Sequence, residues 1–217
     1  MAKPQPWVDW GWVSGHGALI GELARQHVEL TALAVALGLV ISLPLAVAVH
    51  RWRRLTSPVL AATGTLYTIP SLALFALLVP WTGLSSTTAL IGLTSYTLLI
   101  LVRNTLAGLD GVPAEVRDAA TGMGYGGLRR LLAVELPLAV PVIMAGVRIA
   151  TVTTIGLVTV AALIGHGGLG QLILDGLNRD FRTPLVVGSA LSVAMAATAD
   201  VALLGLQRRL TPWAEGE

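Results

Sequence analysis

The sequence of 217 residues contains no cysteine and a single lysine, Lys3. Without cysteine there is no disulfide, thiolate nucleophile, thiolate metal site or redox pair. With its only lysine at position 3, the chain cannot form a phosphate-cradling loop ending in Gly-Lys-Ser/Thr, so it is not an ATPase by that route. Charge is scarce as well. Asp, Glu, Lys and Arg make up 12% of the residues, about half the share usual in soluble domains. No long polar stretch divides the chain, which argues for one unit rather than two. What fills it is apolar, with 54% hydrophobic residues and a mean hydropathy of +0.76, a membrane composition. The formal charge of +2 does not point to nucleic acid, because the arginines sit in short clusters beside apolar runs rather than along one polar face. The first twelve residues hold three tryptophans, two prolines, Lys3 and Asp9 but no apolar core of the kind a cleavable signal has. Insertion is therefore expected through the first true span.

A helix crossing the hydrocarbon layer needs about 20 mostly apolar residues and satisfies its own backbone hydrogen bonds. Five runs qualify, at 30–49, 58–79, 86–102, 138–163 and 184–206. Residues 1–29 are then an N-terminal interfacial arm, 30–206 the membrane domain and 207–217 a C-terminal tail. Positively charged loops stay in the cytoplasm. Arg51, Arg53, Arg54, Arg103, Arg117, Arg129, Arg130, Arg208 and Arg209 fall on one side, against Lys3, Arg25, Arg179 and Arg182 on the other. The expected orientation has the N-terminus outside and the C-terminus in the cytoplasm. Trp52, Trp81 and Trp213 flank the spans, while Trp7, Trp10 and Trp12 cluster in the arm, as interfacial anchors do. Two spans hold a charge, Arg148 in the fourth and Asp200 in the fifth. Intramembrane charges are costly enough to call for partners. Counted from the same end, these two differ in depth by about 6 Å, and an ion pair that fixes helix packing is expected between them. Pro44, Pro70 and Pro141 lie in or near spans, where kinks or helix starts are expected.

The segment 103–137 is too long for a plain connection. Pro113 suits a first helical position and Gly124 a helix end, with Val116, Ala119, Ala120 and Met123 on one face. After Gly124, Leu128, Leu131 and Leu132 form a second apolar stripe beside Arg129 and Arg130. Two short amphipathic helices with a hinge between them are expected. From periodicity alone, helices lying on the lipid surface fit equally well.

Asp118, Ala119 and Ala120, followed by Gly124 and then by Val134, Leu136 and Pro137, resemble the E-A-A-x-x-x-G, nine residues, I-x-L-P signature of bacterial ABC importer permeases. Asp118 replaces the usual Glu and Val134 the usual Ile. Further stretches, among them Thr68-Ile-Pro-Ser71, Met144-Ala-Gly-Val-Arg148 and Ala161 to Gly170, are similar to the permeases of osmoprotectant importers for glycine betaine, choline and carnitine. The resemblance covers nearly everything except the two ends. It implies an all-α membrane protein of five transmembrane helices with the type I ABC importer permease fold, in a bacterial inner membrane. It implies that 103–137 is a coupling loop docking on an ATPase, with Asp118, Ala119, Ala120, Gly124, Leu136 and Pro137 in the coupling motif. It implies partners: two cytoplasmic ATP-binding subunits that hold the ATP and Mg²⁺, a second permease (identical or sister) and an external substrate-binding protein. No cofactor or metal is expected in this chain itself.

Thr68, Pro70 and Ser71 are candidates for the substrate pathway, being polar or kinking amid apolar neighbours. Gly165, Gly167 and Gly170 fit G-x-G-x-x-G, yet they follow a lipid-spanning helix. A flexible turn packed near the external mouth is expected there rather than a nucleotide site. His16, His27, His50 and His166 have no metal-ligand spacing. The readings from other classes are an ion-coupled secondary carrier or channel, which would want more intramembrane carboxylates than Asp200, and a membrane scaffold that moves nothing.

Overall fold

A computed structural model describes residues 6–215, so that Lys3 and the outermost residues of the arm and the tail lie outside the described residues. Every regular element among them is helical. A short α1 (Trp10–Gly15) is capped by Asp9, whose carboxylate accepts from the backbone of Gly11 at 2.9 Å and of Trp12 at 3.2 Å. Next comes α2 (Gly17–Arg51), which starts well before the hydropathy run at residue 30. Arg25 is paired with both Glu22 and Glu29, at spacings of three and four residues that support a helix while lowering its hydropathy.

The expected span at 58–79 is not continuous. It divides into α3 (Thr56–Thr68) and α4 (Ser71–Thr82), and the two limbs meet at a bend of 95°. Pro70 has no N–H to donate, and Ile69 before it is extended, with φ −64° and ψ 127°. The carbonyl of Ile69, left out of the helix, accepts from the Tyr96 hydroxyl. Counting this bent pair as one, the described residues hold five candidate spans.

α5 (Ser86–Asp110) runs eight residues past the expected end of the third span and takes Arg103 with it. Beyond it lie α6 (Ala114–Gly122) and α7 (Gly127–Arg130). α7 is not the separate amphipathic helix expected. Through a π-helical segment, Leu131–Glu135, it runs into α8 (Leu136–Val160), and with the 3₁₀ turn Ala161–Ile164 the rod Gly127–Ile164 is 38 residues long. Pro137 has no N–H for the carbonyl of Ala133. The helix widens there, with Leu136 N–H reaching the Leu131 carbonyl, instead of breaking. The described residues close with α9 (Gly170–Asn178), α10 (Arg182–Leu210) and a 3₁₀ turn, Pro212–Glu215.

α5 is the centre of the bundle, packed on α2, α3, α4 and α8. Small residues let it approach closely: Gly38 faces Thr97, Gly146 faces Asn104, and Gly108 faces Ala139. Two apolar clusters stack along it, one around Leu30, Phe75, Leu93 and Val158, the other around Val35, Leu101, Val147 and Ala150. The arm is tied to the start of α10, where Asp9 N–H donates to Thr183 Oγ1 at 2.9 Å and Trp12 meets Phe181 edge-on.

Candidate functional site

α6 stands at the end of the bundle where α5 finishes and α8 begins, and its C-terminus is closed by a Schellman motif. Tyr125 N–H reaches the Ala120 carbonyl at 3.1 Å and Gly124 N–H the Thr121 carbonyl at 2.9 Å. Gly124 takes φ +83°, the left-handed conformation this cap requires, and an added Cβ would meet nothing within 4 Å. Pro113, expected as the first helical residue, stands just before the helix. Ala120 is buried beneath α6, whereas Asp118, Ala119 and Gly124 are exposed and Leu136 and Pro137 half-buried. Asp118 has no partner among the described residues. On the same loop and at the foot of the rod, Met123 (68% exposed), Leu128 (71%) and Leu132 (57%) present large apolar side chains. Such exposed apolar side chains on one end of the molecule are what a protein partner covers.

The loop is held by charges that motif reasoning passed over. Glu135, the unspecified position inside Val134-Glu-Leu-Pro137, is 2% exposed. It accepts from Arg130 Nε at 2.6 Å and faces His50 Nε2 at 3.1 Å. The other ring nitrogen of His50 lies 2.7 Å from Asp110, which also takes both Nη groups of Arg53 at 2.6 Å. Arg130 donates in addition to Thr121 Oγ1 of α6 at 3.0 Å. One network thus joins α6, the foot of the rod, the end of α5 and the end of α2. A buried carboxylate needs such partners, since an unpaired charge in the interior is prohibitively costly. The available signal was Glu135 itself, an acid at the mouth of a long apolar run.

The other nominated residues fall elsewhere. Thr68, Pro70 and Ser71 sit at the 95° break between α3 and α4, with Thr68 and Pro70 exposed and Tyr67 edge-on to Tyr96 beside them. Arg148 and Asp200 are brought together: Nε and Nη2 donate to the two carboxylate oxygens at 2.9 and 3.0 Å. The glycine turn at 165–170 is packed rather than free. Gly168, at φ +50°, lies against α2 so closely that an added Cβ would stand 2.6 Å from that of His27. His27 is itself fully buried, with Nε2 3.0 Å from the Ile155 carbonyl.

The model of one family, the binding-protein-dependent transport system inner membrane component, matches residues 34–214. The chain belongs to this family. Its relatives include the osmoprotectant import permease protein OsmW of Salmonella typhimurium, 41% identical over 198 residues, 89% of this chain and 92% of that one. The glycine betaine/carnitine/choline transport system permease protein OpuCB of Bacillus subtilis is 36% identical, covering 86% of each. The carnitine transport permease protein OpuCB of Listeria monocytogenes is also 36% identical, over 92% of this chain and 90% of the relative. The fold is that of a chain in the MetNI methionine ABC transporter, solved in inward-facing conformations, with a TM-score of 0.81 at 22% identity over 97% of this chain and 100% of that one.

Proposed function

We propose that this chain is the permease subunit of an ATP-driven importer for quaternary-amine osmoprotectants of the glycine betaine, choline and carnitine kind. Its 41% identity to an osmoprotectant import permease over most of both chains is the observation that carries this reading. In it the permease works as one of a pair, identical or sister, with two cytoplasmic ATPases that hold the ATP and Mg²⁺ and an external binding protein that delivers the cargo. This chain hydrolyses nothing. The arginine distribution supports the loop-bearing end as cytoplasmic, with the N-terminus outside.

The geometry of the loop supports its coupling role. α6 offers Asp118, Ala119 and the open surface at Gly124 to the ATPase, and ATP-driven closure pushes on it. Arg130 and Glu135 then carry the push into the rod, while His50, Asp110 and Arg53 tie in the ends of α2 and α5. Several spans therefore move together, which alternating access requires. The experiment is uptake of radiolabelled betaine and choline by vesicles holding the assembled transporter, with and without internal ATP, for wild type and Gly124→Trp. An added Cβ at 124 meets no atom of this chain, so the tryptophan carries the strain of the left-handed φ of +83°, about 1 kcal/mol, and obstructs docking; with membrane insertion of the variant checked in the same vesicles, ATP-dependent uptake is lost. Uptake indifferent to both ATP and the substitution would instead identify a secondary carrier.

A further inference from the structure

Arg148 stands midway along α8, twelve residues from each of Leu136 and Val160, or about 18 Å from either end. Its partner Asp200 lies ten residues from the end of α10, about 15 Å in. The pair is therefore near mid-depth of the membrane, yet it is not enclosed, with 25% of the Arg148 side chain and 39% of the Asp200 side chain exposed on the chain's surface. Charges at that depth do not face lipid; they face protein or a water-filled path. Beside them opens a cavity of about 450 Å³ lined by Ala145, Arg148, Ile149, Val152, Thr153 and Asp200, within the range of roughly 300–1,000 Å³ usual for small-molecule sites. The apolar cavity between α2, α8 and α10 has no charged residue in its lining. The cavity around His50 and Glu135 lies at the helix ends.

The bond pattern leaves capacity on both partners. Arg148 spends one N–H of Nε and one of Nη2 on Asp200, so both hydrogens of Nη1 and one of Nη2 remain. Each Asp200 oxygen accepts one of these bonds and keeps a lone pair. A spare guanidinium edge thus stands beside a carboxylate, next to the apolar side chains of Ala145, Ile149 and Val152.

We propose that this cavity is a station on the translocation path for a zwitterionic quaternary amine, its carboxylate on the free N–H groups of Arg148 and its cationic head against Asp200. A quaternary nitrogen has no N–H, so it needs only the nearby negative charge and an apolar bed for its methyl groups. A carboxylate one carbon away reaches the guanidinium edge without breaking the ion pair. A cation lacking the carboxylate engages Asp200 alone and is held less well. The station rests on the importer reading above.

The absence of cysteine makes the test clean. Thr153→Cys, and separately Val40→Cys on the 71% exposed face of α2, eleven residues or about 16 Å in from the Arg51 end of that helix, are reacted in vesicles of the assembled transporter with a hydrophilic, membrane-impermeant thiol reagent, and modification of this chain is read by mass. The expected result is labelling of Thr153→Cys on the order of tenfold faster than Val40→Cys, as an aqueous path against hydrocarbon dictates. Saturating glycine betaine slows it several-fold, choline slows it less, and adding Arg148→Lys removes the betaine protection, read as the ratio of the rates with and without betaine in that variant. Labelling no faster than at Val40→Cys overturns the proposal, leaving the pair as dry packing against a second permease. Fast labelling that betaine does not slow, in vesicles that still take up betaine with ATP, overturns the station and leaves the importer reading intact. The same labelling in vesicles that take up no betaine overturns both.

Discussion

The two ends of the bundle are built from different materials. At the end that carries α6, position is fixed by polar contacts: Arg130 pairs with Glu135 and Arg53 with Asp110, and the two ring nitrogens of His50 stand against both carboxylates. At the end that carries α9, the turn after the rod is fixed by shape, with Gly168 seated on the backbone of His27. Ionic contacts tolerate small displacements, because Coulomb attraction falls gently with distance. Contact packing does not, because overlap at tenths of an ångström is already costly. The first end is suited to being pushed and the second to staying where it is.

Replacing Gly168 by alanine attacks the shape-built end and has the largest expected effect. The Cβ collides with His27 and the residue is strained at φ +50°, together about 3 kcal/mol, read as a clear drop in the thermal midpoint of the detergent-solubilised complex. Gly165→Ala sharpens the point. Its φ is +82° but its surroundings are open, so only the strain remains, about 1 kcal/mol. Equal losses at both positions would refute packing as the cause at 168. At the charge-built end, Glu135→Gln keeps shape and removes charge. The folded complex loses about 2 kcal/mol, while uptake per ATP hydrolysed falls markedly, because Arg130 and His50 no longer share one anchor. Unchanged coupling would mean that the push travels by another way. Smallest of all is Arg53→Ala: its side chain is 57% exposed, and the exposed pair with Asp110 contributes about 0.5 kcal/mol. Midpoints that differ at low salt and converge at high salt would confirm the ionic origin.

Local features of this design were legible in the sequence, and long-range ones were not. Gly124 could be read as a helix end because the left-handed cap is a property of the residue itself. The break at 69–70 was legible only as one of three expected proline kinks or helix starts, since Pro44 and Pro141, read the same way, sit inside unbroken helices. What distinguishes Pro70 is the Tyr96 hydroxyl that satisfies the Ile69 carbonyl from 27 residues away. The helical stalk at 17–29 was hidden because hydropathy registers the charges of Glu22, Arg25 and Glu29 but not their mutual pairing. Glu135 shares that fate, for its partner His50 is 85 residues distant. Arg148 and Asp200 were legible as a pair because only two charges lay within the apolar runs and their depths differed by about 6 Å, within the reach of an arginine.

The rod Gly127–Ile164 has a mechanical consequence. Its 38 residues span about 57 Å, nearly twice the roughly 30 Å of hydrocarbon it crosses. One tip lies just past the glycine cap of α6 and the other abuts the glycine turn seated on His27. Such a rod is a crowbar whose handle protrudes into the water: each degree of tilt about one tip sweeps the other through about 1 Å. A modest stroke on the handle thus becomes a graded displacement along the bar, passing Arg148 near its middle, with no relay of side-chain rearrangements in between.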